Sequence, residues 1–463
     1  MLSVLHMLTL VALSLPLVSA RPTSQPEPRA IPPNLDPFYK PPTGFEFKQP
    51  GAILRQRNIV TSFFGLIPDP IEAYQLLYRT TAIDGSPIAT VTTVFKPLHA
   101  KKDRFLSFHT AYDSTPAICN PSYTYQFGAL QTNIITSLEQ LVMQAYLLSG
   151  YIVSSPDYEG PDGAYAAGPL EGMGVLDSMR AVVNFRDELG LSDSPMIVGS
   201  GYSGGAIATG WAAGLHPTYA SELNIKGWVA GGTPANLTGM LLEVDGTILS
   251  GALPGAIDGL LKPSAYGAQL QPLFDSIVTA EGRKILDSAN KNCFVENLIA
   301  YSQKSILSTE FQSLGPGVLS NPTVAAVLDK NIMGSHKNET PTAPVLIYHA
   351  AEDEGPPYAN ASSLSDRWCG YGASVEFLTV EAGGHLTTEV LGLPDAIKFT
   401  ADAFNGKLAS GCSKTITYAD ELNPIALGAQ LEPVLVLLAQ ALVDLGKMDA
   451  NIKKDVNNLR IGI

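Results

Sequence analysis

Apolar residues in this chain fall in short, nearly unbroken runs bounded by turn residues, at 89–95, 105–108, 151–155, 195–198, 225–230, 345–349 and 375–380. Runs this short, without polar alternation, predict strands buried on both faces. Segments with helical periodicity lie between several of them, as at 174–188 and 206–215. Strands alternating with helices predict an α/β architecture, with a mostly parallel sheet and helices on both faces. One interval breaks the alternation. From 236 to 331 the strand signal fades, and helix-like stretches of small and apolar residues follow at 239–244, 256–261, 270–279 and 293–307. This predicts a helical cap inserted after the strand at 225–230, above the carboxyl ends of the strands, where sheet-based sites open. Residues 34–235 and 332–421 then form the core, and 422–463 a C-terminal helical extension or flap.

The chemistry concentrates where the strand at 195–198 meets the helix beginning near 206. The connection reads Gly201-Tyr202-Ser203-Gly204-Gly205. A serine in a tight strand–turn–helix connection, with glycines two positions either side, is the nucleophile elbow of α/β-hydrolases. An overlapping pattern, Gly199-Ser200-Gly201-Tyr202-Ser203-Gly204, also fits the dinucleotide-binding fingerprint. That reading requires an acid closing the next strand. The run at 225–230 closes instead on Gly231-Gly232-Thr233-Pro234, which disfavours it.

A serine hydroxyl needs a base, and the base needs an acid to orient it. In this fold class the chain order is serine, acid, histidine. Of the seven histidines, only His385 follows a plausible acid, in Glu381-Ala382-Gly383-Gly384-His385 just beyond the last run. The acid is sought after the strand at 345–349, in Ala350-Ala351-Glu352-Asp353-Glu354-Gly355-Pro356. Asp353 is the first candidate and Glu352 the second. The remaining acids are left to solvent or to accepting backbone hydrogen bonds. An oxyanion needs donors: the amide of Gly204, and a group from His109-Thr110-Ala111-Tyr112-Asp113-Ser114 after the strand at 105–108. Ionised Asp113 would repel an oxyanion, so it serves only through its amide or as a protonated carboxyl.

A net charge of −14 argues against nucleic acid and anionic membranes as partners. Residues 2–17 are mostly apolar and Val18-Ser19-Ala20 are small, which predicts a secretory signal over 1–20. A proline-rich leader follows over 21–33. Four cysteines in a secreted chain predict two disulfides, with three connectivities open. Asn236, Asn338 and Asn360 begin glycosylation sequons. No transmembrane segment is expected, since the best later candidate, 434–443, is short and carries Gln440. No Cys/His cluster has metal-ligand spacing, and neither metal nor cofactor is expected.

With these pieces placed, the chain resembles the fungal secretory lipases of the Candida antarctica lipase A type, within the α/β-hydrolases. The resemblance rests on Asp36-Pro37-Phe38-Tyr39, Gly51-Ala52-Ile53-Leu54-Arg55, Tyr112-Asp113-Ser114, Ser155-Pro156-Asp157-Tyr158-Glu159-Gly160-Pro161, the elbow, Asp353-Glu354 and Gly383-Gly384-His385. It implies a Ser203–Asp353–His385 triad, an oxyanion hole of Asp113 and Gly204, and disulfides Cys119–Cys293 and Cys369–Cys412. It also implies an ester substrate, met at a lipid–water interface if the enzyme is a triacylglycerol lipase. That is the leading expectation, ahead of an esterase deacetylating a bulky fungal metabolite of the trichothecene type. A serine peptidase and a catalytically dead binding protein are distant alternatives.

Overall fold

All seven apolar runs lie in strands of one sheet. In the computed structural model, which describes residues 30–417, that sheet has ten strands. In chain order they are β1 Ile53–Ile59, β2 Glu72–Thr81, β3 Pro87–Lys96, β4 Arg104–His109, β5 Ile152–Pro156, β6 Met196–Tyr202, β7 Ile225–Gly231, β8 Val345–Ala350, β9 Val375–Val380 and β10 Ser413–Thr417. Their spatial order is β1-β2-β3-β5-β4-β6-β7-β8-β9-β10. The first three pair antiparallel, and from β5 to β10 every pairing is parallel. The expected signal at 1–20, residues 21–29 of the leader and the extension at 422–463 lie outside the described residues.

Helices cover both faces. On one, α2 (Gly168–Asn184) and α3 (Gly204–Tyr219) pack with the sheet through Val175, Leu176, Met179, Trp211 and Trp228. On the other, α1 (Ile134–Leu148) and the later helix Leu393–Phe404 bury Val142, Tyr146, Val198 and Phe404. Strands β1, β2 and β10 have no counterpart among the expected runs. In β2 the apolar run is broken by Gln75 and Thr80, which are nonetheless buried because Gln75 bonds the Ser122 carbonyl and Thr80 bonds Asp177 at 2.8 Å. Those partners lie far away in sequence. Tertiary contacts therefore make that strand (β10, at the sheet edge, is mostly exposed).

The insertion leaves the core at Asn236 and returns at Ile332, where an antiparallel bridge joins the two residues and Met333 N–H donates to Ala235 O at 3.0 Å. Between them lie α4 Leu237–Val244, α5 Ala252–Leu260, α6 Gly267–Ile277, α7 Ala280–Ala289, α8 Phe294–Tyr301 and α9 Pro322–Lys330. The expected helix at 293–307 is shorter than its pattern. It stops at Tyr301, and Gln303 takes a left-handed φ of 61°. The disulfides are Cys119–Cys293 and Cys369–Cys412. The first ties the loop after β4 to the start of α8; the second ties helix Tyr358–Tyr371 to the approach to β10.

The three sequons differ in access. Asn338 is exposed. Asn236 caps α4, its side-chain oxygen accepting from Thr238 N at 3.0 Å and Gly239 N at 3.2 Å. Asn360 does not fit the expectation of a free glycan acceptor. Its amide nitrogen is buried without a hydrogen-bond partner, packed where Gly239 of α4 has no side chain. A sugar on that nitrogen requires α4 to move.

Two outcomes are expected. Glycopeptide mass spectrometry of protein secreted from a eukaryotic host should find Asn338 occupied and Asn360 bare; full occupancy of Asn360 in stable protein would contradict this packing. Replacing Cys119 and Cys293 together by serine should cost about 2–5 kcal/mol of stability, given the 174-residue separation. Thermal unfolding with limited proteolysis of the cap reads this, and an unchanged melting temperature would contradict it.

Candidate functional site

Four connections at the carboxyl ends of parallel strands converge on one point. Ser203 follows β6 with φ 53° and ψ −122°, a strained conformation for a residue with a side chain, and α3 begins at Gly204. The tightness of the turn explains two of its glycines. A side chain at Gly201 would strike the backbone of Gly205, and one at Gly205 would strike the His109 carbonyl of the neighbouring strand. Asp353 lies three residues beyond β8, and His385 five residues beyond β9.

The side chains form a continuous hydrogen-bonded chain. His385 Nε2 is 2.8 Å from Ser203 Oγ, and His385 Nδ1 is 2.9 Å from Asp353 Oδ2. Asp353 Oδ1 accepts from Gly355 N at 2.9 Å. Glu352 is exposed, whereas Asp353 is buried. Glu354 accepts from His385 N at 2.8 Å, the backbone-holding use foreseen for a spare acid in that loop. Tyr202 of the elbow donates its hydroxyl to His385 O at 2.5 Å. Its ring centroid lies 5.2 Å from the imidazole.

Electrostatics follow from burial and this pairing. Burial alone would lower His385, but Asp353, by charge and hydrogen bond, outweighs it. With Glu354 and Glu389 adding in the same direction, the imidazole is raised to about 9. Burial pushes Asp353 upward, yet its contacts with His385, His349 and Gly355 hold it below the ordinary carboxylate value.

Asp113 faces the elbow. Its carboxyl lies against Gly204, and a side chain there would collide with it. The residue is held with φ 44°, in the left-handed region. Burial raises its pKa to about 7, against the lowering influence of His385. One carboxyl oxygen, Oδ1, is buried without a partner. Gly204 is the first residue of α3, where an amide has no acceptor within the helix. The strained loop is braced from several sides: Ala111 N donates to Glu139 at 2.7 Å, Asn133 to Tyr112 O at 3.0 Å, and Tyr158 OH to Thr110 O at 2.8 Å. Glu159 N donates to Tyr112 OH at 2.7 Å, and Phe294 N in the cap donates to Ser114 Oγ at 2.9 Å. The braces from Tyr158 and Glu159 explain why that stretch stands out in the sequence, and the adjoining Asp157 holds Asn120 and Ser122. Sequence reading assigned it no task, since its partners are fifty residues away.

From Ser203 a cavity of about 640 Å³ runs beneath the cap, lined mainly by apolar side chains such as Ile207, Leu237, Met240, Leu253, Ile257 and Phe274. Near its catalytic end lie two acids, Glu139 and Glu389. Burial raises both, Glu389 to about 7. Among the described residues no cluster of His, Cys, Asp and Glu is arranged to hold a metal ion, and no helix is long and apolar enough to cross a membrane.

The family model described as "Secretory lipase" matches residues 125–411. A secreted triacylglycerol lipase of Malassezia furfur is 40% identical over 437 residues, covering 93% of this chain and 88% of the relative. Another, from Malassezia restricta, is 39% identical, covering 88% and 87%. Among solved structures, Candida antarctica lipase A in its closed state superposes with a TM-score of 0.80 at 27% identity, over 89% of this chain and 96% of that one. The rice cell wall degrading esterase LipA of Xanthomonas oryzae, at 14% identity and a TM-score of 0.58 over 78% of this chain and all of its own, shares the fold. With the α/β-hydrolase sheet, the inserted helices and this likeness along most of its length, the chain belongs to the secretory lipase family.

Proposed function

We propose that the protein is a secreted triacylglycerol lipase in which Ser203 is the nucleophile, His385 the base, Asp353 the orienting acid, and Gly204 and Asp113 the oxyanion donors. The observation that carries this reading is the Ser203–His385–Asp353 hydrogen-bonded chain opening directly into a large apolar cavity. Ser203 Oγ attacks the ester carbonyl as His385 Nε2 takes its proton. The carbonyl oxygen gains negative charge beside Gly204 N–H and the protonated Asp113. Collapse expels the alcohol, which receives the proton from His385, and leaves an acyl group on Ser203. Water then repeats the sequence and releases the fatty acid.

Substrate class follows from shape and polarity. An acetyl group would leave most of the cavity unfilled, whereas a long acyl chain covers apolar wall, at about 0.8 kcal/mol per buried methylene. Leu242 and Ile299 of the cap are 59% and 76% exposed, and Ile299 also borders the cavity. Exposed apolar residues on the cap suit a lipid–water interface. The secreted location accords with the apolar N-terminal run and with relatives named as secreted lipases.

Hydrolysis of p-nitrophenyl esters from acetyl to palmitoyl tests the substrate class. Activity is expected to rise toward long chains and to vanish in Ser203→Ala; activity confined to acetyl and butyryl would favour the deacetylase reading instead. Asp353→Asn should cut kcat by about four orders of magnitude.

The pH profile tests Asp113. Catalysis needs neutral His385, a fraction that grows as pH rises toward about 9. It also needs protonated Asp113, a fraction that falls as pH rises through about 7. The product of the two fractions gives kcat/KM that climbs to about pH 7, flattens, and declines above about 9. In Asp113→Asn the donor cannot ionise, so activity should continue to rise with pH through the wild-type plateau, with no plateau beginning near 7. A wild-type-shaped profile in that variant would remove Asp113 from the hole.

A further inference from the structure

A second histidine lies against the acid and takes no part in the mechanism above. His349, near the end of β8, is fully buried, and both ring nitrogens are engaged. Its Nδ1 accepts from Thr233 N at 3.2 Å, and its Nε2 is 2.9 Å from Pro356 O. An amide can only donate and a carbonyl can only accept, so the ring is neutral with its proton on Nε2. That same Nε2 is 3.4 Å from Asp353 Oδ2, the oxygen that also faces His385 Nδ1. At 3.4 Å, with the proton shared toward Pro356, the contact is a charge–dipole interaction rather than a full hydrogen bond. In a dry interior such a dipole still counts.

We propose that His349 is a positioning residue for Asp353, its Nε2–H fixing the acid loop through Pro356 and turning a positive edge toward the carboxylate that orients His385. Three connections meet at this ring: the Thr233 stem that leads into the cap, the Asp353–Pro356 loop, and β8 itself. Tyr358 supports the ring edge-on, with centroids 6.1 Å apart, and is held by a 2.8 Å bond between its hydroxyl and Thr379 Oγ1. The ionisable groups facing His349 are Asp353, His385 and the Tyr358 phenol; those facing His385 are Asp353, Glu354, Glu389, Asp113, His349 and the Tyr202 phenol. Burial holds His349 below the ordinary imidazole value, opposed by Asp353 and Pro356, consistent with a neutral ring beside the charged acid. Removing the Nε2 proton makes Asp353 more basic. It thereby raises His385 further, which lowers the plateau of kcat/KM and moves the decline above about 9 to higher pH, while the break near 7 set by Asp113 stays in place.

This proposal rests on the Ser203–His385–Asp353 reading, and a pair of near-isosteres separates the two. In His349→Asn the short amide keeps the Thr233 contact and lacks a donor at the Nε2 position; in His349→Gln the longer amide restores one. Rates are normalised to sites titrated by a fluorophosphonate, so unfolded protein does not count. His349→Asn is expected to lose about tenfold in kcat with little change in KM, and to move the alkaline decline of kcat/KM to higher pH; His349→Gln should recover most of both. Combined with Asp353→Asn, the loss from His349→Asn should disappear, because its effect passes through the carboxylate. Wild-type kcat and pH limb in His349→Asn would overturn the proposal, as would an equal loss in both variants that persists with Asp353→Asn. If Asp353→Asn itself keeps near-normal turnover, the triad reading fails first.

Discussion

The 2.8 Å contact between His385 Nε2 and Ser203 Oγ spans 182 residues of chain and constrains most of what surrounds it. The serine can meet the imidazole only if β6 ends in a turn tight enough to hold a left-handed φ, which requires bare backbone at Gly201 and Gly205. The imidazole can reach the serine only if the loop after β9 is pinned. Tyr202 and Glu354 pin it by its carbonyl and its amide. The same parallel sheet that aligns the strand ends thus sets Ser203, His385 and Asp353 within hydrogen-bond reach, and the strain at Ser203 is held by the packing of two helix-covered faces.

The Asp113 side of the site is built on a different plan. Its loop is not locked by glycine but by buried polar groups: Glu139, Asn133, Tyr158 and the backbone of Glu159 each hold one point of it. The cap adds Phe294 N–H on Ser114 and the Cys119–Cys293 bond. One edge of the cap is therefore fastened to the loop that carries Asp113. The other, at α4, meets the core beside Asn360 and borders the cavity with Leu237 and Met240.

Much of this was legible in the sequence because the relevant constraints are local. The seven apolar runs mark buried strands, and the pentapeptide around Ser203 and the glycines before His385 mark turns with few alternatives. The helical character of 236–331 follows from a strand pattern that ceases near 236 and resumes near 345. What escaped depends on contacts distant in sequence. Strand β2 looks too polar until Gln75 and Thr80 find Ser122 and Asp177. Glu139 resembles a surface acid on a helix until it meets Ala111 N. The burial of the Asn360 amide nitrogen could not be read from a sequon, since it depends on where Gly239 comes to rest. Which of Glu352 and Asp353 lies against His385 could not be read from the sequence either, because adjacent acids in one loop differ only in which way each side chain faces.

The central claim is that Ser203, Gly204, Asp113 and the cavity beneath the cap form one reaction site. The most direct measurement is a crystal structure of the protein inactivated by a long-chain alkylphosphonate p-nitrophenyl ester, whose phosphonyl group mimics the tetrahedral intermediate. The account predicts phosphorus bonded to Ser203 Oγ, its oxygen within hydrogen-bond reach of both Gly204 N and Asp113, and the alkyl chain running beneath the cap along Ile257 and Phe274. A phosphonyl oxygen turned away from Asp113, or an alkyl chain directed to solvent with the cavity empty, would contradict it.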